Sequence, residues 1–263
     1  MSPQTLDEMF ARTLSGDYKS DAPWEAIAAL QKLGSREVFQ RAAAWCNSPE
    51  PMKRARGADI LAQIGKTVEH PSNNFPDECF AVVSSMLTRE KEPLPLRSAI
   101  HALGHIEDPT AVSLLVQHRS HPDANVRFAV ATALGSFADD FLAASALIQL
   151  TCDTNADVRD WATFGLGVLG RLDSTEIRNA LAARLNDPCD EAREEAMIGL
   201  AKRQDQRVLS PLISSLEAAS VADRAVEAAS ELLGLPDEDG EGWTGKDYAA
   251  ALREKFGKQR LWY

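Results

Sequence analysis

Apolar residues along this chain recur at helical spacing. Ile177, Leu181 and Leu185 stand at i, i+4 and i+8, and Leu209, Leu212, Ile213 and Leu216 at i, i+3, i+4 and i+7. Each set forms one stripe on an amphipathic helix. No window alternates at period two, so no sheet is expected. At the start, Leu6, Met9, Phe10 and Leu14 predict a short helix that ends at the turn Ser15-Gly16-Asp17. A second pattern runs on a longer scale. One leucine near the end of a helix returns at Leu30, Leu61, Leu103, Leu134, Leu166, Leu200 and Leu232, at intervals of 31, 42, 31, 32, 34 and 32 residues by subtraction. Periods in this range mark an array of helical repeats. The long interval has a visible cause in the turn-rich segment from Lys66 to Asn74, which includes Glu69-His70-Pro71-Ser72-Asn73-Asn74. That segment is expected to separate the helices of one repeat and to project from an edge.

The clearest copy of the repeat is Asp153–Gly167. It has a polar turn, an acid, Val158-Arg159, and a small-residue helix ending at Leu166-Gly167. Seven residues before the marker leucine stands an arginine in four copies: Arg54, Arg127, Arg159 and Arg193. Asn125, Asp157 and Glu191 stand two residues before the last three, and Pro49, Pro122, Thr154 and Pro188 lie just upstream. Proline stops an incoming helix, and Asp or Asn can accept from the free N–H groups that start the next. An arginine one turn in can bridge to the acid of an adjoining repeat. Arg54, Asn125, Arg127, Asp157, Arg159, Glu191 and Arg193 are therefore expected to form a ladder that holds the stacking register. The other reading of the same residues is caps and solvated arginines. The small residues that follow, among them Ala133, Ala162, Gly165, Gly167 and Gly199, let neighbouring helices approach closely.

Val126-Arg127, Ala133-Leu134-Gly135, Val158-Arg159 and Leu166-Gly167, with their preceding turns, resemble the HEAT-repeat family. The nearest subgroup is similar to the short bacterial repeats labelled phycobiliprotein-lyase-like. The resemblance spans about residues 21 to 234 and is strongest from Pro95 to Leu216. It implies an all-α fold: a right-handed α-solenoid of about seven antiparallel helix pairs, with first helices on the convex side and second helices on the concave side. Residues 1–20 are then an N-terminal capping helix, and 21–234 the repeat solenoid. Residues 235–263 are an acidic linker (Pro236 to Gly242) and a C-terminal capping helix. Thr244 and Asp247 read as the start of that helix, which runs to about Phe256, and Leu261-Trp262-Tyr263 as an apolar tip folded onto the last repeat.

Charge narrows the function. There are 39 acidic and 28 basic residues, a net charge of -11. Such a balance disfavours nucleic acid, whose counterions Lys and Arg must displace, and favours a basic partner. No run of apolar residues is long enough to cross a membrane, and Met1–Glu8 lacks the features of a secretory signal. Cys46, Cys79, Cys152 and Cys189 are scattered, which reads as reduced thiols in a cytoplasmic protein rather than a metal or disulfide framework.

Candidate chemistry is thin. His101 and His105 share a helical face, but there is no H-E-x-x-H arrangement or third ligand, so no metal is expected. No phosphate loop, nucleophile elbow or CxxC is present, so neither a cofactor nor catalysis is expected. Counting back from the marker leucines places Arg97, His101, Phe128, Asp160, Trp161, Phe164 and Glu194 on the inner face of the second helices. Trp, Phe and Arg there suit a protein-binding hot spot, although the same rings could simply pack between helices. The expected function is a non-catalytic scaffold or adaptor that holds a basic protein or peptide. The alternatives are a bilin-lyase-like accessory, which only the resemblance suggests, and nucleic-acid processing on a HEAT-like fold, which the acids oppose.

Overall fold

The structure, a computed structural model, describes residues 5–235 and 242–257. The acidic linker at 236–241 and the Leu261-Trp262-Tyr263 tip lie outside these residues. Among the described residues there are fifteen α-helices and no strand. They fall into two compact units that divide between Phe137 and Ala138.

The first unit holds α1 (Leu6–Arg12), α2 (Asp21–Leu33), α3 (Arg36–Trp45), α4 (Pro51–Ala62), α5 (Pro76–Arg89), α6 (Pro93–Ile106), α7 (Val112–Leu115, extended by single turns at both ends) and α8 (Ala124–Gly135). Consecutive helices pair as α1–α2, α3–α4 and α5–α6, with α7 on α8, and the second members stack as α2, α4, α6, α8. The second unit holds α9 (Phe141–Leu150), α10 (Ala156–Phe164), α11 (Thr175–Arg184), α12 (Asp190–Lys202), α13 (Leu209–Leu216), α14 (Asp223–Leu233) and α15 (Gly245–Gly257). There α10, α12 and α14 stack, and α15 packs on α13 and α14. Tyr248, Ala249 and Leu252 are buried at that contact, and Arg253 pairs with Glu217.

The helix starts follow local chemistry. Thr5 and Glu8 form a reciprocal capping box at α1. Pro51, Pro76 and Pro93 open α4, α5 and α6, where proline loses no hydrogen bond. The side chains of Asp140, Asn155 and Ser174 cap α9, α10 and α11. All seven marker leucines are buried, none more than 1 % exposed.

Two expectations change. The Lys66–Asn74 segment lies between α4 and α5, which belong to successive pairs, rather than between the helices of one pair. Its middle, residues 67–72, is exposed. Its base is tied down because Asn73 donates to the carbonyl of Leu61 and Asn74 to that of Gly34, which satisfies carbonyls at two helix ends. The helix of the clearest repeat also does not end at Gly167. After Phe164 it widens into a π-turn over Gly165–Leu169, closed by Gly170 N–H on Gly165 C=O at 2.8 Å. Arg203, 7 % exposed, takes the carbonyls that this turn leaves open. It donates to Leu166 (2.9 Å), Gly170 (3.1 Å), Leu172 (2.6 and 3.0 Å) and Gly199 (2.8 Å).

The small residues have the expected place. A Cβ on Gly199 would lie 2.6 Å from Gly167 Cα, and one on Gly167 would lie 2.7 Å from the carbonyl oxygen of Glu195. The backbones of the π-turn and α12 therefore meet with no room for a methyl group. Gly199→Ala is expected to cost about 1–3 kcal/mol, the range for overpacking, as a lower urea midpoint.

Candidate functional site

The ladder arginines share one geometry. Each turns back from the first turn of its helix onto the loop before it, with Nη1 donating to carbonyls five and six residues upstream. Arg54 reaches Ser48 (3.1 Å) and Pro49 (3.0 Å), Arg127 reaches His121 (2.8 Å) and Pro122 (3.1 Å), and Arg159 reaches Asp153 (3.0 Å) and Thr154 (3.4 Å). Arg193 reaches the carbonyl of Asp187 at 2.6 Å. In Arg54 and Arg159 the other edge of the fork grips a carboxylate of the next loop. Arg54 is bidentate to Glu90 at 2.6 and 3.0 Å, and Arg159 is bidentate to Asp187 at 2.9 Å on both oxygens.

These carboxylates are not the expected Asn125, Asp157 and Glu191. Asn125 donates to Asp123, which caps α8. Asp157 and Glu191 are exposed in the first turns of α10 and α12, where a negative charge favours the helix start, and Glu191 accepts from Cys189 Sγ rather than from an arginine of the ladder. Arg193 finds its acid in Asp190. A signal for the right partners was present: Glu90 and Asp187 stand seven and six residues before Arg97 and Arg193. The Arg159 fork, Arg184 and the Cys189 N–H all converge on Asp187 and hold its carboxyl below its ordinary range.

The inner face is more closed than a helical wheel implies. The position five before the marker leucine is buried at Ser98, Ala129 and Glu195, because adjacent second helices press together there. In the first unit a buried polar cluster lies under this face. Asp59 accepts from the Tyr18 hydroxyl (3.0 and 3.1 Å), which also meets Ser98 Oγ at 3.0 Å. Arg56, 1 % exposed, lies 4.2 Å from the Tyr18 ring and donates to the Tyr18 carbonyl. Burial pushes Asp59 up to about 6. Arg97, expected to face a partner, has its guanidinium over the Tyr18 ring at 4.8 Å. His101 hydrogen-bonds Thr132 at 3.2 Å and meets the Phe128 ring at 6.2 Å. Burial and then the Arg97 charge press it down to about 4, so it presents a neutral imidazole at pH 7. Among the described residues no group of three or more His, Cys, Asp or Glu is arranged to hold a metal ion.

The second unit carries the more open chemistry. Trp161 and Phe164 meet edge to face, ring centroids 5.5 Å apart, with Trp161 39 % exposed. Asp160 on α10 and Glu195 on α12 lie beside them, and Glu194, next to Glu195, is half-buried. No donor of the protein reaches Asp160 Oδ1 or Glu195 Oε2. Burial first, and the Asp160 charge second, push the Glu195 carboxyl up to about 9. The sign of the consequence is definite. Over the range from 4.5 to about 9 the folded chain holds a proton that the unfolded chain releases, so stability falls as pH rises through it. Glu195→Gln is expected to flatten that slope, read from urea midpoints at pH 5, 7 and 9.

Comparison with a family model identifies the repeat type. The family model described as HEAT repeats matches residues 81–167 and 144–233. The chain is 32% identical to Protein YibA of Escherichia coli (strain K12) over 232 residues, 86% of this chain and 80% of that protein. The X-ray structure of Escherichia coli YibA superposes with a TM-score of 0.73 at 27% identity, covering 95% of this chain and 92% of that chain. The CpcE–CpcF complex of phycocyanin lyase from Nostoc sp. PCC7120 is similar at 18% identity and a TM-score of 0.45, covering 88% of this chain and 82% of that chain. A likeness at that level carries no chromophore chemistry to this chain.

Proposed function

The chain belongs to the HEAT-repeat family, and from that premise we propose that it is a non-catalytic binding scaffold for a basic protein or peptide segment. One observation carries this reading. The half-exposed Trp161, against Phe164, sits on a face bordered by Asp157, Asp160, Glu191 and Glu194. An aromatic anchor with a charged rim is the composition of a binding hot spot, and acids on the rim select and steer a cationic partner. Asp160, Trp161, Phe164 and Glu194 are the proposed contacts in the second unit. Arg97, His101 and Phe128 are secondary candidates on the first. The Arg159–Asp187 clamp supports this face from behind by fixing the start of α10 against the loop before α12.

The test is fluorescence anisotropy with matched labelled peptides of basic, neutral and acidic composition, at fixed salt. The basic peptides are expected to bind best, and Trp161→Ala with Phe164→Ala to weaken them about thirtyfold or more, since a single hot-spot truncation costs about 2 kcal/mol or more. Equal binding by the wild-type chain and a correctly folded double variant would falsify the proposal.

A further inference from the structure

We propose that the buried, unpartnered carboxyl oxygens of Asp160 on α10 and Glu195 on α12 form a subsite for the guanidinium of an arginine in the basic partner. The inference rests on the basic-segment reading above and specifies its central contact.

A cluster of acids alone would mean little on so acidic a chain. What singles out this pair is that its oxygens are committed and yet unserved. Glu195 is 5 % exposed, and neither its Oε2 nor Asp160 Oδ1 receives an N–H or O–H from another residue. Buried carboxyl oxygens ordinarily have donors, and leaving them without costs free energy. Here a proton on Glu195 relieves the pair, held there by burial and by the Asp160 charge.

The charged groups around the pair define what would suit it better. Asp157 from α10 and Glu191 from α12 add negative charge, and Glu194 stands beside them. Arg224 from α14 is the cation that approaches. Its Nη2 lies 3.8 Å from Glu195 Oε1, beyond hydrogen-bond reach, and its guanidinium carbon is 5.8 Å from the Phe164 ring centroid. The chain's own guanidinium therefore meets Glu195 only as a long ion pair without a hydrogen bond, and the Phe164 ring only at the outer limit of cation–π range.

A guanidinium from outside meets both requirements. Its planar fork delivers two parallel N–H donors to a carboxylate pair, and its face stacks on an aromatic ring. A lysine ammonium offers a point charge and fits the aromatic edge less well. Binding balances as an exchange: one cation enters, the Glu195 carboxyl loses one proton to the buffer, and the site then holds two carboxylates against the incoming charge.

Isothermal titration calorimetry of the full chain tests this, with an acetylated and amidated Arg-Gly repeat peptide and its Lys-Gly counterpart. Each titration is run at pH 7 in phosphate and in Tris, whose ionisation enthalpies differ. The arginine peptide is expected to bind about tenfold tighter than the lysine peptide. Its heat is expected to differ between buffers by the amount for about one proton released. Glu195→Gln keeps the shape but has no proton to give, so it should remove the buffer dependence and weaken arginine selectivity. Asp160→Asn serves as the second carboxyl variant and should likewise weaken arginine selectivity, and Arg224→Ala should tighten binding several-fold. Equal affinity for the two peptides, or buffer-independent heat with the wild-type chain, overturns the subsite. Loss of basic peptides in the aromatic double variant but not in Glu195→Gln also overturns it, while leaving the docking face intact. Absence of binding to every basic peptide overturns both.

Discussion

Replacing Arg203 by methionine is expected to lower the stability of the second unit by about 4 kcal/mol, because several buried hydrogen bonds go at once. The guanidinium makes five hydrogen bonds, all to main-chain carbonyls, at Leu166, Gly170, Leu172 and Gly199. Methionine fills a similar volume but donates nothing, so several buried carbonyls lose their partner at about 1–3 kcal/mol each, with some returned as the loop opens to water. Lysine has three donors on one nitrogen and cannot span four carbonyls, so Arg203→Lys is expected to recover less than half of the loss. Urea denaturation reads the total. Hydrogen exchange localises it, since amides from Gly165 to Leu172 should lose protection first. A shift within about 0.5 kcal/mol of wild type, the size of an ordinary surface substitution, would show that the π-turn holds without its arginine.

Asp187→Ala is expected to cost about 3–5 kcal/mol, the range for removing one partner of a buried ion pair. The Asp187 side chain is 1 % exposed and receives Arg159, Arg184 and the Cys189 N–H. Its removal leaves two arginines facing a vacated site and frees the start of α12. A double-mutant cycle with Arg159→Met separates the pair from the packing: the two losses should be strongly non-additive. The pH dependence has the opposite sign to that of Glu195. The folded carboxyl lies below its ordinary value of 3.8, so its contribution is complete above that value and disappears as pH falls through the lower, folded one. In the wild type this steepens acid unfolding; in Asp187→Ala that component is absent. Additive losses in the cycle would mean that the clamp does not couple the two loops.

The two effects bear on function through one element. Arg203 holds the C-terminal end of the segment that carries Trp161 and Phe164, and Asp187 holds its N-terminal end through Arg159. Either substitution should therefore reduce peptide binding together with stability. Trp161→Ala should reduce binding with a smaller loss of stability than either, because Trp161 is 39 % exposed and carries none of the buried hydrogen bonds of Arg203 or Asp187.

Periodicity was enough to read the helical repeat. A leucine returning every thirty-odd residues names the position that each helix must bury, and all seven such leucines are buried. Burial of a fixed stripe is a local demand that a one-dimensional pattern carries in full. The glycines at 167 and 199 were legible for a similar reason, since small residues at helical spacing mark close approach. Acid partners were harder to assign. The nearest acid in sequence to Arg159 is Asp160 or Asp157, yet the guanidinium reaches Asp187, 28 residues on. Which loop lies beside an arginine depends on how helix pairs stack, and local spacing does not encode that.

The order of amino acids sufficed for the all-α repeat class and for the leucine position that each repeat buries. These follow from periodicity, capping chemistry and composition, which act within one or two helical turns. Packing of the helices was needed for the rest: that Asp187 and Glu90 hold the ladder, that Arg203 serves a π-turn, that Arg56 and Asp59 are buried beneath Tyr18, and that burial beside Asp160 raises the Glu195 carboxyl. Each depends on groups 28 to 41 residues apart, or on a carboxyl being desolvated by a neighbouring helix. Hydrogen-bond partnership and desolvation are properties of the packed environment, and they come into being only when the helices stack.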